Sequence, residues 1–466
     1  MNAFLTIFCL ILVLFHSNAQ NISFNEKEWN STIIGISVRD ISSNKIIYEK
    51  NSHLQLCPAS TIKLITTSAA LEKLGGNYQF KTEFYYVGEL KNRVLNGDLI
   101  IKTYGDPTIE SRFFKKNTLN TIVLQLKQKF IDKINGKIII DNSFIQSEIN
   151  DNWIWEDINN YYAAIPYSTN IYDNEFHIYL QSQQINTPVK VLSIFPQYHS
   201  FPKIEITENL LTAQQGGDNA YIYGDPIGYS KRLKGSIPPF QKDYSIEGVL
   251  PDPPRMFYQE FFKELLHQKI ILKDTIPLIV NKDSIHYTTA QLLFTHYSPP
   301  LSEIIRLTNL HSINLFAESI VYALGNGNYD KGKKEIIQFL KQQNINTDEI
   351  NIDDGCGLSR LNGVSADVLT QLLSKIYQKS YSTIFWNSLP IAGESGTMKN
   401  FANTPPLANN LRCKTGYVQR VRTYAGYLKT KSGKILAVAV MFNNFNTSTE
   451  KLKNYTKAFF ETIYNN

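Results

Sequence analysis

The apolar positions change their period several times along the chain. IIGISVRD (Ile33 to Asp40) alternates apolar and polar residues, Ser42, Ser43 and Asn44 make a turn, and KIIYEKN returns, which predicts an antiparallel hairpin. From Ser60 the spacing turns helical: Ile62, Leu64, Ile65, Ala69, Leu71 and Leu74 share a face, and Gly75 and Gly76 end the helix. A second hairpin is expected where TYAGYLKT (Thr423 to Thr430) and KILAVAVMFNN (Lys434 to Asn444) flank Ser432-Gly433. TEKLKNYTKAFFETIY then reads as a helix with Leu452, Tyr455, Phe459, Phe460 and Ile463 on one side. Hairpins and helices at both ends predict one α+β domain assembled from the two termini.

From Phe80 to Asp283 the texture differs: short β-like segments, Gly/Asp/Pro turns and few convincing helices, with GDLIIKTYGDPTIESRF and EGVLPDPPRMF as typical pieces. A β-rich insertion inside the α+β domain describes this economically. No period of 20 to 50 residues recurs, which excludes a repeat protein. The expected organisation is a leader over 1–19, a catalytic domain from 20–82 and 284–466, and a β-rich inserted region over 83–283.

Length and composition agree with this. At 466 residues the chain is long for one domain, and 43% apolar against 19% charged residues supports a sizeable core. The apolar run Ala3 to Phe15, followed by Ser17-Asn18-Ala19, reads as an export signal cleaved after Ala19, although no Lys or Arg precedes it. The run is shorter than the ~20 residues that span a bilayer, so no transmembrane anchor is expected after cleavage. The formal charge of +6 suits work near an anionic wall or membrane, and the lack of a basic cluster with interleaved aromatics argues against nucleic acid. Cys9 leaves with the signal. Cys57, Cys356 and Cys413 remain, an odd number with spacings that suit neither a disulfide framework nor zinc, so no metal or cofactor is expected.

PASTIKLITTSAALEKLG places Ser60 and Lys63 one helical turn apart, where they can touch. A capping serine beside a lysine that reaches for water explains that pair equally well. Two further short motifs follow. His311-Ser312-Ile313-Asn314 opens an apolar-periodic helix, with Ser312 either a functional hydroxyl or an N-cap, and Lys414-Thr415-Gly416 stands just ahead of the C-terminal hairpin on a predicted edge strand. Ser-x-x-Lys, Ser-x-Asn and Lys-Thr-Gly in this order are the set associated with penicillin-binding proteins and serine β-lactamases.

On these motifs the chain resembles the D-alanyl-D-alanine carboxypeptidase/endopeptidases of the DacB type, class C low-molecular-mass penicillin-binding proteins. GDLIIKTYGDPTI, WIWEDINNYYAAIPYSTNIYDN and IDDGCGLSRLNGVSADVL match the family's texture, and the likeness covers nearly the whole mature chain. The 252 positions between Ser60 and Ser312 leave room for the family's inserted domains, whereas plain β-lactamases keep that gap far shorter. The resemblance implies an antiparallel sheet flanked by helices, split by the insertion, and a periplasmic enzyme. Peptidoglycan stem peptides would be its substrates and β-lactams its covalent inhibitors. A β-lactamase-like hydrolase and a wall-binding protein without catalysis are the alternatives, and intact motifs argue against the second. Oligomeric state is not legible.

It further implies Ser60 as nucleophile and Lys63 as its base, with burial and the facing Lys414 pulling the Lys63 amine toward neutrality. Ser312 would relay a proton to the departing amine, with Lys63 or Lys414 at the far end, and Asn314 would bond the substrate amide and hold Lys63. Lys414 and Thr415 suit the substrate's terminal carboxylate, and Gly416 lets its backbone approach the strand. The N–H groups of Ser60 and Tyr417 are the expected oxyanion hole, though relatives often carry a smaller residue or Thr where Tyr417 stands. Asp157, Arg360 and Gln419 would meet the zwitterionic diamino acid of the stem. Structural roles compete here, with Asp157 capping a helix and Arg360 bracing the Asp353/Asp354 turn. Gly105-Asp106-Pro107 reads as a turn, His311 as structural, and Glu208-Asn209 as surface in spite of its likeness to a deacylating glutamate.

Overall fold

The computed structural model describes Trp29 and residues 31–465 apart from 115–116, 200–201, 208–209, 214–218 and 286. The expected export signal over 1–19, Cys9 and Glu208-Asn209 lie outside the described residues. The chain divides into two compact units, Met1–Gly76 with Ile305–Ser312 and Lys333–Asn466, and Asn77–Ile304 with Ile313–Gly332.

The first unit is built on a five-stranded antiparallel sheet in the order Leu411–Val418, Val421–Lys429, Ile435–Asn443, Ile33–Asp40, Ile46–Lys50. Both predicted hairpins are present, and they join where Ile36 pairs with Val440 and Val38 with Val438. Alternation along Ile33–Asp40 explains the two layers. Ile34, Ile36 and Val38 enter a core with Val438, Val440, Phe442 and, from the helix Thr449–Asn465, Leu452, Phe459, Phe460 and Ile463. On the other face Ser37 bonds Thr370 at 2.7 Å and Arg39 pairs with Asp367 at 2.6 Å, both partners on the helix Ala366–Tyr377. That helix is started by Ser365, whose hydroxyl accepts from the Val368 N–H. Helices on both faces of an antiparallel sheet bear out the α+β expectation.

The second unit carries a seven-stranded sheet whose main path runs Ile271–Leu272, Lys133–Ile134, Val94–Thr103, Lys81–Lys91, Gln291–Tyr297, together with smaller sheets around Glu175–Gln181 and Ser230–Ile237. One apolar cluster including Phe84, Leu99, Ile122, Phe176, Ile222, Phe257 and Phe261 joins these sheets to two helices. The helices of this region are few, as expected, but one of them corrects the reading of EGVLPDPPRMF as a β-like piece. Thr118–Gln128 and Pro253–His267 fall where few were expected, and the second begins inside EGVLPDPPRMF. Asp252 accepts from the Arg255 N–H as its cap, and Pro253 and Pro254 occupy first-turn positions, where a missing N–H costs nothing. Among the described residues no helix is long and apolar enough to cross a membrane.

Candidate active site

Ser60 sits in a single 3₁₀ turn, Ala59–Ile62, and the α-helix proper runs Lys63–Lys73. The serine is therefore not the helix cap: Pro58 holds that position, and no side chain caps the turn. Nor is the helix two-faced, since every residue from Lys63 to Leu71 is buried. Ala59 is left-handed at φ +45°, a conformation a Cβ disfavours, and its neighbours enforce it. Thr61 and Thr423 each donate a side-chain hydrogen bond to the Pro58 carbonyl at 2.7 Å. A Cβ on Gly357 would stand 2.0 Å from the Ala59 carbonyl oxygen, and one on Gly416 would stand 2.7 Å from the Pro58 oxygen and 2.2 Å from Thr423 Oγ1. The Lys-Thr-Gly glycine is thus required by the close approach of strand and serine turn.

Lys63 is fully buried, and its Nζ donates to Ser60 Oγ at 3.0 Å and to the Cys356 carbonyl at 2.5 Å. That carbonyl belongs to a turn wound around the buried Asp354 carboxylate, which accepts from the N–H groups of Gly357 and Ser359, both at 2.6 Å, and from Asn362 Nδ2 at 2.7 Å. Asp354 and Asn362 brace this turn; Arg360 does not, being exposed with no hydrogen bond or ion pair to a described residue. Its charge is nonetheless felt at the Cys57 thiol.

The helix Leu301–His311 ends just before Ser312, and the next helix, Asn314–Leu324, starts after it. Ser312 is a left-handed junction residue at φ +63° and caps nothing; Ile313 holds the cap position. Its hydroxyl accepts from Lys414 Nζ at 2.8 Å. Lys414 lies in the edge strand Leu411–Val418, as expected, and also donates to the Thr415 carbonyl at 2.7 Å. Burial first, then the charges of Lys63 and Arg422, hold the Lys414 amine well below its ordinary value.

Thr415 hydrogen-bonds Thr397 at 2.8 Å, a partner that sequence reasoning missed. Its only signal is the small polar run Glu394-Ser395-Gly396-Thr397, where Gly396 turns left-handed against the Leu310 carbonyl. Tyr417 is 57% exposed with the Arg422 guanidinium 5.7 Å from its ring centre, and Gln419 is exposed in the turn beyond the strand.

In the second unit, Asn314 Nδ2 donates to the Tyr162 carbonyl at 2.6 Å. The Tyr162 hydroxyl in turn donates to Asp157 Oδ1 at 3.0 Å, and burial together with that carboxylate raises the phenol above its usual range. Asp157 heads no helix; it belongs to a run of turns closed by bonds such as Asn160 N–H to the Asp157 carbonyl at 2.9 Å.

This geometry can do acyl transfer: an accessible hydroxyl beside a buried amine, and a second hydroxyl joined to a second buried amine. Comparison with known proteins agrees. The chain is 26% identical to the D-alanyl-D-alanine carboxypeptidase DacB of Haemophilus influenzae over 91% of this chain and 88% of that protein. Its fold is similar to the crystal structure of penicillin binding protein 4 from the same organism, with a TM-score of 0.81 and 24% identity over 96% of this chain and all of the other. A second crystal structure of that protein, complexed with a β-lactam, gives 0.77 and 22% over the same 96% of this chain and 100% of the other. The model of the D-Ala-D-Ala carboxypeptidase 3 (S13) family matches residues 20–464, and the chain belongs to that family.

Proposed function

We propose that the protein is a serine-type D-Ala-D-Ala carboxypeptidase that cleaves peptidoglycan stem peptides through an acyl-enzyme on Ser60, and that β-lactams acylate the same hydroxyl. The observation that carries this reading is the 3.0 Å hydrogen bond between Lys63 Nζ and Ser60 Oγ in a chain of this family. Neutral Lys63 takes the Ser60 proton as Oγ attacks the carbonyl carbon, with the N–H groups of Ser60 and Tyr417 receiving the developing oxyanion. The C–N bond then breaks. The departing D-alanine amine takes a proton from Ser312, and the proton that Lys63 took from Ser60 passes on to Ser312, whose oxygen Lys414 holds across a 2.8 Å bond, so Lys63 is neutral again. Water completes the cycle: Lys63 removes its proton as the oxygen attacks the ester carbonyl, and returns that proton to Ser60 Oγ as the acyl–oxygen bond breaks.

Lys414 and Thr415 bind the terminal carboxylate, Gly416 admits the substrate backbone, and Asn314 bonds its amide. Asp157 receives the free amine of the stem's diamino acid, and Arg360 and Gln419 lie toward its carboxylate. In this reading 20–82 and 284–466 supply the chemistry, while the inserted 83–283 supplies selection. A cross-linked stem presents the same bond, so endopeptidase action follows from the same site. Export to the periplasm suits a wall substrate. Intact-mass analysis after incubation with a penicillin tests the proposal: one adduct is expected on the wild-type protein, and an adduct retained by Ser60→Ala overturns it.

A further inference from the structure

Lys231, in the strand Ser230–Ile237, is 1% exposed and has no carboxylate within ion-pair distance among the described residues. Its three ammonium protons go to neutral oxygens instead: Asn159 Oδ1 at 2.7 Å, the Asp225 carbonyl at 2.6 Å and the Pro226 carbonyl at 3.3 Å. Burying an unpaired ammonium is expensive, and an apolar side chain would fill the space at lower cost. Three converging acceptors, however, need a donor with three N–H groups, and lysine alone supplies them from one atom. Desolvation pushes the amine down to about 8, against the upward pull of the Asp225 carboxylate.

What this cation holds is the loop carrying Asp157. Asn159, fully buried, takes Lys231 on its oxygen and donates its amide to the Gly224 carbonyl, while its own carbonyl accepts from the Val249 N–H at 3.0 Å. The neighbouring Asn160 accepts from the Ile222 N–H at 3.1 Å and donates to the Glu156 carbonyl at 2.6 Å and, by its N–H, to the Asp157 carbonyl at 2.9 Å. The loop is thus fastened in its middle to three strands, Asn219–Gly224, Ser230–Ile237 and Tyr244–Val249. Its other end is fastened separately, by Asn314 at the Tyr162 carbonyl. Asp157 precedes both anchors, two residues before Asn159 and with no regular element of its own, and the Tyr162 hydroxyl donates to its Oδ1 at 3.0 Å.

We propose that Lys231 is a positioning residue for substrate selection: by gripping Asn159 it sets the loop that presents the Asp157 carboxylate to a cationic side chain of the substrate. This rests on the assignment of Asp157 to the stem's free amine made above. Without Lys231 the three oxygens face one another unsatisfied and the loop shifts, so a contact that depends on sub-ångström placement of Asp157 is lost before the chemistry at Ser60 is.

The test compares two synthetic peptides ending in D-Ala-D-Ala, one with a free ammonium on the preceding side chain and its N-acetylated twin, alongside penicillin acylation. The proteins are the wild type, Asp157→Asn, Lys231→Met, Asn159→Ala and the double variant. The wild type is expected to prefer the free amine. Lys231→Met and Asn159→Ala should each lose roughly tenfold in kcat/KM on that peptide, mainly through KM, with far smaller losses on the acetylated twin and on penicillin. The double variant should lose no more than the worse single one, since both break one grip. Asn159→Ala keeps the test alive should Lys231→Met not fold. Preference for the amine retained in either folded variant, or equal losses on all three substrates, overturns the proposal. If Asp157→Asn abolishes the preference while Lys231→Met keeps it, the positioning role alone fails; if the wild type shows no preference, the Asp157 assignment fails and takes this with it.

Discussion

The side-chain amide of Asn443 brackets the backbone of Cys57, donating to its carbonyl at 3.1 Å and accepting from its N–H at 3.0 Å. Asn443 is the last residue of the strand Ile435–Asn443, so the sheet reaches out and grips the chain three residues before Ser60. Between the two lies Ala59, whose left-handed backbone costs on the order of 1–3 kcal/mol unless its surroundings impose it. The grip belongs to those surroundings, with the Thr61 and Thr423 bonds to the Pro58 carbonyl.

Asn443→Ala should therefore act on the chemistry as well as on stability. Two backbone groups lose their partners, which predicts a loss of about 1–3 kcal/mol in unfolding experiments. Relaxation of Ala59 should also slow acylation roughly tenfold at saturating penicillin, because the serine is no longer held in its reactive pose. The half-saturating concentration should change little. A variant that melts lower yet acylates at the wild-type rate would restrict Asn443 to a structural role.

Lys63→Ala separates chemistry from packing at the other end of the site. A general base contributes roughly 10²–10⁴-fold, and acylation should fall by that much while the protein still melts cooperatively near the wild-type temperature. A purely structural lysine predicts the reverse pattern, lower melting with normal acylation per folded molecule. Labelling rates measured beside thermal melts distinguish the two.

Much of this arrangement is legible in side-chain pattern, and the remainder lies where side chains say little. The hairpins and the final helix follow from periods of two and 3.6, and the three motifs place Ser60, Lys63, Ser312 and Lys414 in order. The Cys356 carbonyl that takes the Lys63 amine is a backbone atom that any residue could supply. The left-handed turns at Ala59 and Ser312 are imposed from outside, by Gly357, Gly416 and the helix ends, and have no local signature in an alanine or a serine. The helix Pro253–His267 was obscured by its own start signal, since Pro253-Pro254 reads as a breaker until Asp252 is recognised as the cap. Lys231 looks like any surface lysine until the fold brings three oxygens to it.

Asp106 predicts an unusual pH dependence of stability. The turn expected at Gly105-Asp106-Pro107 exists: Asp106 Oδ1 accepts from the Thr108 N–H at 2.8 Å and its hydroxyl at 2.7 Å, while Oδ2 is buried with no partner among the described residues. Desolvation raises the carboxyl from 3.8 to about 6, against the pull of the Thr108 bonds. The folded state thus holds the proton more tightly than the unfolded state. This contribution is fully present below about 4, is lost as pH rises through about 6, and amounts to at most about 3 kcal/mol. Asp106→Asn, which does not titrate, should gain melting temperature relative to wild type between pH 4 and pH 7. An equal difference at both pH values sinks the assignment.

None of the three described cysteines is in a disulfide, and they should differ in reactivity according to where the fold puts them. Cys413 alternates with Lys414 along the strand, so it turns into the apolar layer with Leu411 and Tyr424, and burial drives its thiol far above the ordinary range. Cys356 is equally buried. Cys57 is only partly covered, and burial raises its thiol more modestly, partly offset by the bond from the Ala59 N–H and the charge of Arg360. Under native conditions without reductant, a small alkylating reagent should reach Cys57 slowly and the other two not at all, with all three titrating once the protein is unfolded. Alkylated Cys57 should also be impaired in penicillin acylation, because the added group pushes on the segment that Asn443 grips. Modification at Cys413 before Cys57 would mean that the edge strand opens in solution, and a native count of one thiol after unfolding would mean a disulfide and a different wall behind Ser60.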